Sequence, residues 1–164
     1  MKKMWLLTIL LGAWPGLGVA QTTAELVSDG KNTENITTES LGYDRKNYSP
    51  LRQIDKSSVK RLVPIWSSSL MNDSCELAAP TIYDGVMYVI NGKWTFAIDV
   101  ETGRQIWRTP VQVEGVQRVA TFGVFARGAA TIYNGRLFRV TIDNHLIERV
   151  PTGGAVWTFA LMPD

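Results

Sequence analysis

The sequence predicts an all-β chain made of a repeated four-stranded unit. Two observations carry that reading: an ungapped internal repeat with a step of 50 residues, and turn signals that cut each copy into four short apolar runs. A third supports them, because helix signals are almost absent beyond the first twenty residues.

The repeat superposes residues 79–107 on residues 129–157. Thr81-Ile82-Tyr83 meets Thr131-Ile132-Tyr133, Gly85 meets Gly135, Thr102-Gly103 meets Thr152-Gly153 and Trp107 meets Trp157. In the first copy, residues 81–83 read as a strand, and Asp84-Gly85 (Asn134-Gly135 in the second copy) as a two-residue hairpin turn. Residues 86–90 form the return strand, Asn91-Gly92 a second turn and residues 94–98 a third strand. Asp99 to Gly103 make a third turn, in which Asp99 and Thr102 can bond their own backbone. Residues 104–108 form a fourth strand carrying Trp107. Four short antiparallel strands ending near a tryptophan describe a propeller blade. The expected fold is a partial β-propeller of about two blades, within residues 57–164.

The second copy departs from the first in its third strand. Glu148 takes the place of Ile98, Arg149 that of Asp99 and Pro151 that of Glu101. A charge at a strand core position is costly without a partner, so this strand is expected to be weak. The apolar run Leu62-Val63-Pro64-Ile65-Trp66 is expected to be a strand joining a blade. Residues 57–62 can hold one helical turn, with Asp55 as its N-cap. Residues 21–56 are polar and read as an extended N-terminal lead-in.

Residues 1–20 follow another logic. Lys2 and Lys3 precede a short apolar run, and Gly18-Val19-Ala20 supplies small residues before Gln21. That is the layout of a cleaved secretory signal peptide, with a run too short for a stable membrane span. Export is therefore expected. Cleavage removes two lysines and leaves 15 basic and 15 acidic residues. Without a basic field, nucleic acid is not an expected partner. Cys75 is the only cysteine, so no intrachain disulfide can form. His145 is the only histidine and has no second ligand at zinc spacing.

Three stretches, taken in order, resemble the pyrroloquinoline quinone (PQQ) dependent alcohol and methanol dehydrogenases. The first is Asn47-Tyr48-Ser49-Pro50-Leu51-Arg52-Gln53-Ile54, followed by Leu62 and Trp66. The second runs from Ala97-Ile98-Asp99 through Thr102-Gly103 to Trp107 and is similar to that family's tryptophan docking motif. The third is Arg127-Gly128-Ala129-Ala130 with Asn134-Gly135-Arg136 and Thr141-Ile142-Asp143. The resemblance implies an eight-bladed quinoprotein propeller holding PQQ with calcium or a lanthanide. It implies oxidation of a small primary alcohol in the periplasm, with electrons passed to cytochrome c. It places the catalytic base and the metal ligands in later blades, so this chain by itself is expected to be inactive. Arg127 matches an arginine that contacts the cofactor. A guanidinium fork suits the carboxylates and quinone oxygens of PQQ. The family's glutamate falls at the position of Leu77; Glu76 lies one residue early and is the second candidate cofactor contact, reaching the site through a bulge. The family's adjacent cysteine pair aligns with Thr121 and Phe122. The displaced glutamate and missing cysteines keep an alternative open: a non-catalytic propeller module that binds proteins in the cell envelope.

Overall fold

The computed structural model describes residues 21–71, 76–111, 126–127, 129–141, 145–149 and 156–160, of which 76–77, 126–127 and 156–160 are described as backbone. Ten strands are described in chain order: β1 (Glu76–Leu77), β2 (Thr81–Tyr83), β3 (Val86–Ile90), β4 (Trp94–Asp99), β5 (Gln105–Pro110), β6 (Ala126–Arg127), β7 (Thr131–Tyr133), β8 (Arg136–Val140), β9 (His145–Arg149) and β10 (Val156–Ala160). They form two four-stranded antiparallel sheets, β2-β3-β4-β5 and β7-β8-β9-β10, and a two-stranded ladder of β1 with β6. Each sheet is an up-and-down meander, as expected of a blade.

The hairpins follow the turn chemistry. Asp84 and Gly85 have φ of 49° and 72°, and Asn134 and Gly135 have 49° and 69°. Two consecutive positive φ values match the twist of the flanking strands, which is why Asp-Gly and Asn-Gly occupy these turns. Asn91 closes the next turn by accepting from the backbone N–H of Lys93 and Trp94, while its amide donates to Leu70 O. One feature of the sheet was not anticipated. Ala97 pairs with Trp107 and Ile98 with Gln105, so Ile106 is an extra residue in a bulge.

Burial follows strand alternation. Tyr88, Ile90 and Ala97 of the first blade pack against Ala130, Ile132 and Leu137 of the second. Trp107 lies against this cluster, 6.1 Å from the Tyr88 ring. Phe96 and Ile98 are buried on the other face of β4. Fully burying a side chain of this size is worth about 2 kcal/mol. Burial, aided by the charge of Asp84, pushes the Tyr88 phenol up to about 12.

Polar links span the blades as well. Thr81 Oγ1 donates to Ala130 O at 2.6 Å. The buried Arg139 of β8 reaches across to the β3–β4 turn, donating to Asn91 O, Trp94 O and Thr95 Oγ1. The weak third strand expected of the second blade is a strand of five paired residues, because its charges have partners. Glu148 is salt-bridged to Arg136. The Arg149 guanidinium lies 3.8 Å from the centre of the Trp107 ring.

The lead-in differs from the extended segment expected. Thr23–Ser28 form a helix, α1, opened by a capping box in which Thr22 and Glu25 bond each other's backbone. A 3-10 turn follows at Asp29–Lys31. The fully buried Asp29 carboxylate accepts from the backbone N–H and hydroxyl of both Thr37 and Thr38, which folds the lead-in back on itself. The helical turn expected near 57–62 is a 3-10 turn at Val59–Arg61 whose N-cap is Ser58 rather than Asp55; Asp55 instead accepts from Ser57 and Ser58 in the turn just before it. The Ser57 hydroxyl is the main reason its carboxyl falls to about 2. The expected strand at 62–66 is absent. Leu62, Val63 and Ile65 are exposed, and this run joins no ladder among the described residues.

Trp66 explains how the run is anchored. Its Nε1 donates to Val100 O at 2.9 Å, and a Cβ on Gly103 would lie 2.5 Å from its ring. Gly103 has a φ of 70°, so it serves both the turn and the ring above it. Asp99 stiffens the same turn by accepting from the backbone and hydroxyl of Thr102, and these bonds lower its pKa.

Gly103→Ala is expected to cost about 3 kcal/mol, from left-handed backbone strain plus displacement of Trp66. Gly85→Ala shares the strain, with a φ of 72°, but meets nothing within 4 Å. It should cost only about 1 kcal/mol, both variants being read by denaturant titration. The lowered Asp99 pKa stabilises the fold above the carboxylate's unfolded value of about 3.9, and that contribution is lost as pH falls through the folded value. Asp99→Asn should therefore flatten the fall in stability below about pH 5, read by denaturant titration at a series of pH values.

Candidate functional site

The residues ahead of each blade's first strand meet at one place. β1 and β6 run parallel, with Glu76 opposite Ala126 and Leu77 opposite Arg127. Parallel neighbours cannot be joined by a tight hairpin, so this ladder is a contact between blades. Its register is the 50-residue step of the repeat. The Thr81–Ala130 bond continues the same junction into the first strands. The structure thus places the backbone of Arg127 beside that of Leu77, as blade equivalence requires, and Glu76 one step away. The side chains of Glu76 and Arg127 lie outside the described residues, as do Cys75, Thr121 and Phe122.

The lead-in covers the inner edge of the first blade. Ile36 and Ile82 exchange backbone bonds at 2.8 Å in both directions. Two amide side chains stitch the lead-in to equivalent hairpins: Asn35 Oδ1 accepts from Asp84 N, and Gln21 Oε1 accepts from Gly135 N. An open cleft of about 330 Å³ lies between the lead-in and the start of β7. Thr37, Thr38, Tyr43 and Arg45 line one side, and Ala129 to Thr131 the other. The Thr37 and Thr38 hydroxyls are already committed to Asp29.

No three His, Cys, Asp or Glu side chains are grouped for a metal among the described residues. Arg139, Gln21 and Asn35 are the linking residues that sequence reasoning missed. Arg139 had one signal, since it replaces Val89 within an otherwise apolar stretch of the repeat. Gln21 and Asn35 had none, because their partners lie 114 and 49 residues away.

Known proteins share this arrangement. Residues 40–160 match the family model described as PQQ glucose/ethanol/alcohol dehydrogenase, beta-propeller domain. The chain is 31% identical over 165 residues to the quinoprotein alcohol dehydrogenase PedH of Pseudomonas putida, covering 96% of this chain and 27% of the relative. It is 33% identical to methanol dehydrogenase [cytochrome c] subunit 1 of Methylobacterium organophilum, over 85% of this chain and 24% of the relative. Its fold superposes on the quinohemoprotein alcohol dehydrogenase ADHIIG of Pseudomonas putida HK5 with a TM-score of 0.78 and 28% identity, covering 88% of this chain and 21% of that one. It also superposes on a europium-containing methanol dehydrogenase with a TM-score of 0.72 and 26% identity, covering 84% and 25%. The chain thus spans about a quarter of the length of these proteins. Its blades, its docking turn and its family match make it a member of the PQQ-dependent alcohol dehydrogenase β-propeller family, of which it covers a part.

Proposed function

We propose that this chain forms two adjoining blades in the wall of an exported, periplasmic PQQ-dependent alcohol dehydrogenase, and that Arg127 contacts the cofactor. The observation that carries this reading is the parallel ladder, which sets Arg127 at the junction between blades. Equivalent positions of successive blades gather around the propeller axis, where a planar ligand is surrounded by several of them. A guanidinium there fits a ligand rich in carboxylates. Glu76, one step along the same ladder, is the second proposed contact, and it would need a bulge to turn its side chain to the face that Arg127 takes. Bound PQQ would supply the quinone that accepts hydride from an alcohol.

The described residues fit one part of such a site and not another. They offer the position for an anion-binding arginine, while no grouped acidic set is present among them for calcium or a lanthanide. In this reading the ion, the catalytic base and the handover to a cytochrome belong to other blades. Two related proteins point the same way: one is named a cytochrome c methanol dehydrogenase subunit and another contains europium. The signal-like residues 1–20 support export. Among the described residues no helix is long and apolar enough to cross a membrane.

A chimera tests the proposal. Residues 21–164 replace the corresponding stretch of the P. putida quinoprotein alcohol dehydrogenase, and dye-linked alcohol oxidation is followed as PQQ is titrated. Turnover is expected in the chimera and not in the chain alone. Arg127→Ala should weaken PQQ binding at least about tenfold, the loss of one charged hydrogen-bonding partner. Unchanged PQQ affinity in that variant would favour the non-catalytic, protein-binding module.

A further inference from the structure

The chain contains two Asn-Gly sequences, Asn91-Gly92 and Asn134-Gly135, and the fold treats them in opposite ways. Asn91 is completely buried, and its side chain is tied to Lys93 N, Trp94 N and Leu70 O. Asn134 and Gly135 lie exposed at a hairpin tip, with nothing within 4 Å of the space a Gly135 Cβ would occupy. The bond recorded at this tip belongs to the Gly135 N–H, held at 3.0 Å by Gln21 Oε1 from the lead-in.

We propose that Asn134 is a site of spontaneous deamidation and that Gln21 is its brake. The chemistry needs no enzyme. The Gly135 nitrogen gives its proton to solvent and attacks Asn134 Cγ. The new N–Cγ bond forms, Nδ2 takes a proton from solvent, and the Cγ–Nδ2 bond breaks to release ammonia. Water then opens the resulting succinimide at either carbonyl, yielding aspartate or isoaspartate. No electron transfer is involved.

The atom that must attack is the atom that Gln21 holds. A tight hairpin also resists the rotation that ring closure requires, so the tip must open first. Such local opening is governed by the contacts that fasten the segment. Docking of the lead-in therefore sets the rate. The two products differ in consequence. Aspartate turns the second hairpin into a copy of the first, where Asp84 already occupies the equivalent position with the same φ of 49°. Isoaspartate inserts a backbone methylene into a two-residue turn, and the strand register beyond it depends on that turn.

The full chain is incubated at mildly alkaline pH, and conversion at each asparagine is followed by peptide mapping with mass spectrometry. Conversion is expected at Asn134 and not at Asn91. Gln21→Ala should speed conversion at Asn134 several-fold and leave Asn91 intact. Gln21→Glu, which keeps an acceptor, should restore the slow rate. Asn91 serves as the folding control, because global unfolding would expose both sites. Faster conversion at Asn91 than at Asn134 would overturn the proposal, and so would equal rates with and without the Gln21 acceptor.

Discussion

In a stack of like blades, one face of each sheet is buried against the opposite face of the next: Ile132 and Leu137, the repeat equivalents of Ile82 and Met87, meet Tyr88 and Ala97. That constraint governs the described fold. Tyr88, Ile90 and Ala97 on one blade are covered by Ala130, Ile132 and Leu137 on the next, with Trp107 against the same cluster. Once they meet, the residues ahead of each first strand are brought side by side, and β1 pairs with β6 at the step of the repeat. The position of Arg127 is a consequence of this packing. Arg139 follows the same logic. Its buried guanidinium donates to two carbonyls and a hydroxyl of the other blade, so a charge that would be costly alone becomes a lock.

The lead-in adds a second layer of fastening. It folds on the Asp29 carboxylate, pairs Ile36 with the inner strand of the first blade and reaches both hairpin tips through Asn35 and Gln21. Trp66 does the equivalent work on the outside, through Val100 O and the space that Gly103 leaves open. These contacts join residues far apart in the chain, which carries a loop-closure cost. They offset that cost by burying polar groups with partners, where an orphan would be penalised.

Much of this architecture was legible in the sequence because hairpins are local. Asp84-Gly85, Asn91-Gly92 and Asp99 to Gly103 carry their turn chemistry within a few residues, and the strands between them fall within a residue or two of where the pattern puts them. The helix at Thr23–Ser28 was legible in principle, since Thr22 and Glu25 spell a capping box, but its polar surroundings hid it. The run at 62–66 misled because apolar composition signals a strand, whereas a strand also needs a partner edge. Glu148 and Arg149 misled for the opposite reason. Their charges looked unsupported until Arg136 and the Trp107 ring came into place beside them. For the candidate site, the repeat located Arg127 and its blade-equivalent neighbour. The linking residues Gln21, Asn35 and Arg139 depend on tertiary contact and leave little local trace.

The functional reading depends on the register that sets Leu77, and not Glu76, opposite Arg127. Disulfide trapping tests that register directly. Cysteines replace Leu77 and Arg127, or Glu76 and Arg127, in a Cys75→Ser background. A disulfide needs Cα atoms roughly 4.4–6.8 Å apart and compatible side-chain directions. Under mild oxidation the 77–127 pair should close readily and the 76–127 pair poorly. Preferential closure of the 76–127 pair, or failure of both, would contradict the blade junction on which the account of Arg127 depends.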